Sequence, residues 1–230
     1  MFEKYARQIS LPDFGESGQR RLSESALALI GAGGVGSSAL PLLAGAGVGK
    51  ILIVDADTVS RDNLHRQTLY SSSQVGSSKA LSAADRARSI NGGIEVEACE
   101  AFLGDFEAAT CLLGACDMVI DATDSFASRI FISHVCRELG IPQIAASAQG
   151  YVAQSFCFGG DFYFDSLLED KESVSRENSG GLAIFPPAAH MAGVVAASDA
   201  LRFLAVKKYE IGKFFFADLS RGAFFCKNIV

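Results

Sequence analysis

Three glycines, Gly31, Gly33 and Gly36, follow a short apolar run in G-x-G-x-x-G spacing, with Gly34 between them. With no Cβ atoms in the way, backbone N–H groups and the positive end of a following helix can approach a phosphate closely, so the chemistry on offer is nucleotide binding. Asp55 closes the next apolar run, where the acid of a Rossmann unit reads a ribose hydroxyl. Lys79 falls in the first turn of a helix-like stretch, and a cation there opposes the helix dipole unless an anion meets it. Asp121 and Asp124 arrive together after a third apolar run. Paired carboxylates beside a phosphate site suit a hard ion such as Mg²⁺, while helix N-capping is the plain structural role for Asp124 or Ser125.

These residues need a frame. Ala26–Ile30 reads as a strand, followed by the glycine turn and a small-residue helix, and residues 50–55 read as the second strand. Residues 56–67 are too polar for a core and leave the carboxyl end of that strand, where ligands sit in open α/β sheets. Helices are expected over 77–89, 105–113 and Phe126–Leu139, and strands over 94–98, Met118–Asp121 and 143–147. The βα alternation then stops. Residues 151–164 read as paired strands turning at Gly159 and Gly160, residues 169–187 as a mobile crossover loop over the site, 188–206 as a buried apolar helix, and 213–218 with 222–227 as a closing hairpin. The expected fold is α/β: a Rossmann-like three-layer fold with a mainly parallel sheet extended by antiparallel strands at the C-terminal end. It forms a single domain over 1–230, with 1–24 as an N-terminal arm lying against something else.

A chain of 230 residues, 49% of them hydrophobic, can bury one substantial core. The net charge of −6 argues against a nucleic-acid partner. The first ten residues are charged and lack an apolar core, unlike a secretory signal. Residues 183–197 are interrupted by Pro186, Pro187 and His190 and fall short of the about 20 residues that span a bilayer. A cytoplasmic protein with no membrane partner is expected. No two of the six cysteines form a C-x-x-C pair and the three histidines are scattered, so buried free thiols are expected and a metal cluster is not.

Read together, Tyr5-x-Arg7-Gln8-Ile9, Gly15-x-x-Gly18-Gln19, the glycine turn, Asp55-x-Asp57-x-Val59, Asn63-Leu-x-Arg66-Gln67, Gly76-x-x-Lys79 and Asp121-x-Thr-Asp124 form an ordered set. The set resembles the ThiF/MoeB/HesA family of ubiquitin-activating-enzyme-like adenylyltransferases, closely over about residues 1–150 and more loosely over 188–206. The resemblance implies ATP on Gly31, Gly33, Gly34 and Gly36, with Asp55 on the ribose. Asp57 lies beside it, and Asn63, Arg66, Gln67 and Lys79 surround the phosphates. It implies Mg²⁺ on Asp124, and Arg7 reaching into the neighbouring subunit of a homodimer; Arg7, Arg66, Lys79 and Asp124 would be the catalytic set.

The implied substrate is the C-terminal glycine carboxylate of a ubiquitin-like sulfur carrier in thiamine- or molybdopterin-type cofactor biosynthesis, with a small-molecule or peptide carboxylate as the alternative. Such a carboxylate, with a pKa near ~4, is ionised at neutral pH and attacks the α-phosphate without a general base. What the step needs is cationic stabilisation of the phosphates and the departing pyrophosphate. Two family features are missing. The first C-x-x-C of a structural zinc site would fall near 162–165, where no cysteine stands, and the second near or beyond the end of the chain. The crossover has no cysteine over 169–185, with Ser179 near the expected place. Adenylation without a covalent thioester step on this chain, and no zinc site, are therefore expected. An NAD-dependent oxidoreductase would leave Arg66, Lys79 and the N-terminal arginine motif unused, and an inactive scaffold subunit would have no need of them.

Overall fold

The computed structural model describes residues 3–167 and 183–230. Strands β1 (Ala26–Ile30), β2 (Lys50–Val54), β3 (Glu95–Cys99), β4 (Met118–Asp121), β5 (Gln143–Gln149), β6 (Val152–Phe158), β7 (Lys213–Asp218) and β8 (Ala223–Asn228) form one sheet in the order β3-β2-β1-β4-β5-β6-β7-β8. Pairing is parallel from β3 to β5 and antiparallel from β5 outward. Strand order reverses at β1, with β2 to one side and β4 to the other. The carboxyl ends of β1 and β4 therefore flank the crevice where open α/β sheets take ligands.

Helices cover both faces, which is why β1, β2 and β4 are apolar on both sides rather than alternating, with polar residues only at Lys50 and Asp121 on their ends. Successive residues point to opposite sides: Leu27, Leu29, Ile51 and Ile53 join one core, and Ala28, Ile30, Leu52 and Val54 the other. The first core is packed by α3 (Gly34–Ala46), α4 (Lys79–Ile90) and α7 (Pro186–Val206), and the second by α5 (Phe106–Leu113) and α6 (Phe126–Leu139). The expected three layers are present.

Helix α7 is longer than its interrupted sequence suggests. Pro186 occupies its first turn, where a missing N–H costs nothing, so 21 residues form a helix long and apolar enough to cross a bilayer by length and composition. Half of that apolar window is buried inside the fold. Gly193 and a run of alanines let α7 lie directly on α3; a Cβ on Gly193 would collide with Ser38 Oγ and the Val35 carbonyl.

Residues 151–164 do not form a hairpin. β5 and β7 occupy both edges of β6, and only an isolated bridge, Gly159 to Phe162, folds back on it. Tyr163 and Phe164 are buried in the second core, and the Tyr163 hydroxyl donates to the Ile141 carbonyl at 3.0 Å. Arg137 grips Asp165 with both guanidinium nitrogens, at 2.6 and 2.5 Å, holding the short 3₁₀ turn Phe164–Leu167 against α6. Of the expected loop over 169–187, residues 169–182, Ser179 included, lie outside the described residues. Its last residues are not loose: Gly150 N–H donates to the Ala183 carbonyl at 2.7 Å and Phe185 N–H to the Gly150 carbonyl at 2.9 Å, directly before α7.

The N-terminal arm comprises α1 (Ala6–Ile9) and α2 (Gly15–Glu24). It lies against the carboxyl ends of α3 and α7, where Arg21 Nε donates to the Ala205 carbonyl at 2.6 Å. The Tyr5 ring packs over the left-handed Gly47, where any Cβ would collide with it, and Asn91 Nδ2 donates to the Tyr5 hydroxyl at 2.9 Å. Gln8 Nε2 donates to the Ala46 carbonyl at 2.9 Å.

Candidate functional site

The glycines of the turn divide the work. A Cβ on Gly31 would meet the Ala122 carbonyl at 2.8 Å, and one on Gly36 would collide with the Gly31 carbonyl. Those two let the turn close on itself and on the end of β4. Gly34 makes room for Ala189 and Arg66, whose Cβ and Cγ lie 3.1 and 3.5 Å from where its own Cβ would stand. Gly33 is half-exposed, and a Cβ there would meet only Gln67 Nε2, at 3.6 Å. The open approach for a phosphate is thus over Gly33, at the N-terminus of α3, whose first turn carries no acidic residue.

Asp55 fastens this turn: its Oδ2 accepts from Ala32 N–H at 2.7 Å and its Oδ1 from Asp57 N–H at 2.8 Å. Each oxygen keeps a lone pair, so a ribose hydroxyl can still be accepted. The buried Tyr70 hydroxyl donates to the Ala32 carbonyl at 2.8 Å and lies 3.3 Å from the Lys79 carbonyl, holding the next peptide of the turn. Burial first, then the neighbouring Asp55 and Asp57 carboxylates, push the Tyr70 phenol far above its usual range and keep it a donor.

Residues 58–59 pair with 76–78, which brings Lys79 beside Asp57. Lys79 Nζ donates to Asp57 Oδ2 at 2.7 Å; the lysine is 5% exposed and the Asp57 side chain 73%. The anion that the helix-terminal cation demanded is, in this state, Asp57. A triphosphate would compete with an exposed carboxylate for a buried ammonium, an exchange the geometry permits.

Asn63, which ends the 3₁₀ turn Arg61–Asn63, and the irregular Arg66 and Gln67 beyond it form an arm. Arg66 Nη2 donates to Asn63 Oδ1 at 2.6 Å, and both are half-buried. Gln67 is 4% exposed, and its Oε1 has no hydrogen-bond partner among the described residues. The Gln67 amide lies with its Nε2 toward Gly33 and its buried Oε1 unpaired, which fits a site completed by a ligand.

The paired carboxylates separate in role. Asp121 is fully buried and consumed: Oδ1 accepts from Thr123 N–H and Oγ1 at 3.0 and 2.7 Å, and Oδ2 from Arg129 Nε at 3.3 Å and Gln143 Nε2 at 3.4 Å. It is therefore not available to a metal. The N-cap of α6 is Ser125, whose Oγ accepts from Ser128 N–H at 3.3 Å, leaving Asp124 exposed at the carboxyl end of β4 with no hydrogen-bond partner among the described residues. One free carboxylate beside a phosphate cradle fits Mg²⁺, which takes one or two carboxylates and completes its shell with water and phosphate oxygens.

Arg7 is exposed on α1, at the far end of α3 from the glycine turn. Thirteen residues of helix place that end about 19 Å away. One chain does not bring Arg7 to its own site.

Sequence reasoning passed over Arg129 and Tyr70. Arg129 looks like an ordinary helix-surface cation until its Asp121 partner, eight residues back, is seen. Tyr70 carries a faint signal, since Leu69-Tyr70 is an apolar pair inside a polar stretch.

The turn, arm and buried lysine at this switch point agree with the match of the ThiF family to residues 5–228. The chain belongs to the ThiF family. Among this ThiF-family chain's relatives is adenylyltransferase and sulfurtransferase MOCS3-1 of Zea mays, 42% identical over 212 residues, which cover 90% of this chain and 44% of the relative. Another is the SAMP-activating enzyme E1 of Haloferax volcanii, 33% identical over 207 residues, covering 88% of this chain and 75% of that enzyme. The chain thus spans less than half the length of the MOCS3 relative. Its fold is also that of the PaaA crystal structure, with a TM-score of 0.82 at 24% identity over 99% of this chain and 73% of that one. The crystal structure of E. coli MccB with ATP gives 0.84 at 20% identity over 99% and 71%.

Proposed function

We propose that the chain is an ATP-dependent adenylyltransferase that activates the C-terminal glycine carboxylate of a ubiquitin-like sulfur-carrier protein in cofactor biosynthesis, releasing pyrophosphate. The observation that carries the reading is that Gln67 and Arg66 lie against Gly33 and Gly34 at the open N-terminus of α3, and that the buried Lys79 is held by Asp57, whose N–H binds the Asp55 that fastens the same turn. Relatives named adenylyltransferase and SAMP-activating enzyme support it. A protein substrate is favoured by the antiparallel strands. Phe156, Phe214, Phe216 and Phe225 line the face of β6–β8 away from α7, with Phe156 and Phe214 stacked at 4.3 Å and Phe225 46% exposed.

In this reading the ionised substrate carboxylate attacks the α-phosphorus in line and pyrophosphate departs. Arg66 and Lys79 offset the charge gathering on the phosphates, Asp55 orients the ribose, and Gly33 leaves the backbone N–H groups open to the nucleotide. Mg²⁺ held on Asp124 would neutralise phosphate oxygens. The reading involves no thioester on this chain; of the expected buried thiols three are buried, whereas Cys111 and Cys226 are exposed on α5 and β8 and Cys99 is half-buried at the end of β3. Burial pushes the Cys116 thiol up to about 11, and those of Cys136 and Cys157 higher still, so these stay protonated.

Carboxylate-dependent exchange of pyrophosphate into ATP, measured with candidate sulfur carriers and small acids, tests the reading. Asp124→Asn is expected to slow that exchange by about tenfold or more at fixed Mg²⁺. Tight NAD binding with no exchange for any carboxylate would return the dinucleotide reading instead.

The protein works in this reading as a cytoplasmic homodimer, one domain per chain, with Arg7 completing the partner's site. Co-expressed Arg7→Ala and Asp124→Ala chains are then expected to recover about a quarter of wild-type exchange, since half the dimers are hybrid and each hybrid has one intact site. Activity no higher than that of either variant alone would place Arg7 outside the partner's site.

A further inference from the structure

His190 stands in the second turn of α7, outside every motif above. Its Nε2 lies 3.1 Å from the Arg66 carbonyl. A carbonyl can only accept, so Nε2 is the protonated ring nitrogen. The backbone carbonyl of the same residue accepts from Ser38 Oγ at 2.9 Å, on the second turn of α3. One residue therefore joins three parts: the helix that starts at the glycine turn, the helix that follows the crossover, and the arm that carries Asn63 and Arg66.

Apart from the packing of the buried Gln67 and the Arg66 stem against Gly33 and Gly34, the arm has this hydrogen bond to hold it to the helices. Its internal bonds, Asn63 N–H to the Ser60 carbonyl at 3.1 Å and the N–H groups of Arg66 and Gln67 to the Asn63 carbonyl at 3.0 Å each, set its shape but not its position. Leu64 packs loosely on the first core, and Leu69 and Tyr70 anchor the chain only beyond the arm. Between those anchors the Arg66 guanidinium leans on its stem over Gly34, where a small tilt of the Arg66 peptide would carry it off the cradle.

We propose that His190 is a positioning residue for the phosphate arm: its Nε2–H holds the Arg66 carbonyl and thereby fixes the Arg66 guanidinium and Asn63 relative to the glycine turn. The inference rests on the adenylation reading only for what the arm is positioned to meet, the phosphates of a nucleotide. The tether itself exists without ligand. Because α7 begins directly after Ala183–Phe185, which is pinned to Gly150, the same bond links the arm to the far end of the crossover.

His190→Leu removes the donor at similar bulk, while His190→Gln offers an amide N–H at about the same reach. Two measurements separate the ideas. Amide hydrogen exchange of residues 61–67 in the ligand-free protein is expected to speed up in the leucine variant and return close to wild type in the glutamine variant. The dissociation constant of the non-hydrolysable analogue AMPCPP is expected to rise about five- to twentyfold in the leucine variant, from one lost hydrogen bond and a displaced cation, and to recover to within about twofold with glutamine. KM for ATP is expected to rise and kcat to fall together, because the displaced Arg66 serves both the bound phosphates and the charge that builds on them as pyrophosphate leaves. Unchanged exchange over 61–67, or leucine and glutamine variants that behave alike, overturns the tether. A wild-type protein that binds no AMPCPP, with the arm still loosened by leucine, keeps the tether and sinks the adenylation reading.

Discussion

Arg129→Met is expected to lower unfolding free energy by about 3–5 kcal/mol in urea titration, the cost of stranding a buried carboxylate without its counter-ion. Asp121 is fully buried, Arg129 is 8% exposed, and the guanidinium is spread over three acceptors: Asp121 Oδ2, the Thr123 carbonyl at 2.7 Å and the Ala146 carbonyl at 3.3 Å. Methionine fills the space but supplies no donor. Pairing it with Asp121→Asn removes the charge problem as well, so the double variant is expected to be more stable than Arg129→Met alone. A loss below about 1 kcal/mol in the single variant would mean that water reaches the carboxylate, contrary to its burial. Surviving Arg129→Met protein is also expected to exchange pyrophosphate poorly, because the Thr123 carbonyl it released precedes Asp124 by one residue.

Lys79→Ala is expected to reduce carboxylate-dependent pyrophosphate exchange by about 10²- to 10³-fold, in line with losing one preorganised charge at a reacting phosphate. The lysine is buried, its backbone N–H donates to the Asp57 carbonyl at 3.0 Å, and its ammonium is held at 2.7 Å by the Asp57 carboxylate. Folding has already desolvated and aimed it, so little reorganisation is left for the reaction. Asp57→Asn separates this from a purely structural ion pair. It should spare most of the exchange, since a 73%-exposed carboxylate contributes little stability and competes with the nucleotide for the same ammonium. If Lys79→Ala retained wild-type exchange, the buried lysine would serve packing alone.

The parts of this fold that were legible in the sequence share one property: a local pattern determines them. Met118–Asp121 and Phe126–Leu139 keep their boundaries because an apolar run and a capping serine are local signals. The stretch 151–164 was misread because alternation identifies a strand but not its neighbours; β7, some sixty residues on, takes the edge that a local hairpin would have used. At the site, motif spacing singled out Lys79, Arg66 and Asp124. Residue type alone could not tell Asp121 from Asp124, which only the resemblance separated; in the fold they are set apart by a guanidinium delivered from inside α6. Asp57 was seen as part of a nucleotide motif, and its role as the standing counter-ion of Lys79 follows only from the pairing of residues 58–59 with 76–78. His190 left no trace at all: in sequence it only interrupts an apolar run.

The place of Arg7, a helix length from its own glycine turn, has a genetic consequence if the dimer forms as proposed. A chain damaged only in its arm keeps a sound pocket and spoils the one next door. In a cell making normal and arm-defective chains in equal amounts, the normal chains would lose as much activity as the defective ones. Alleles that break Asp124 would leave the same half of the sites active, but would silence only the pockets of the chains that carry them, whereas arm-defective alleles spread the loss equally over both kinds of chain.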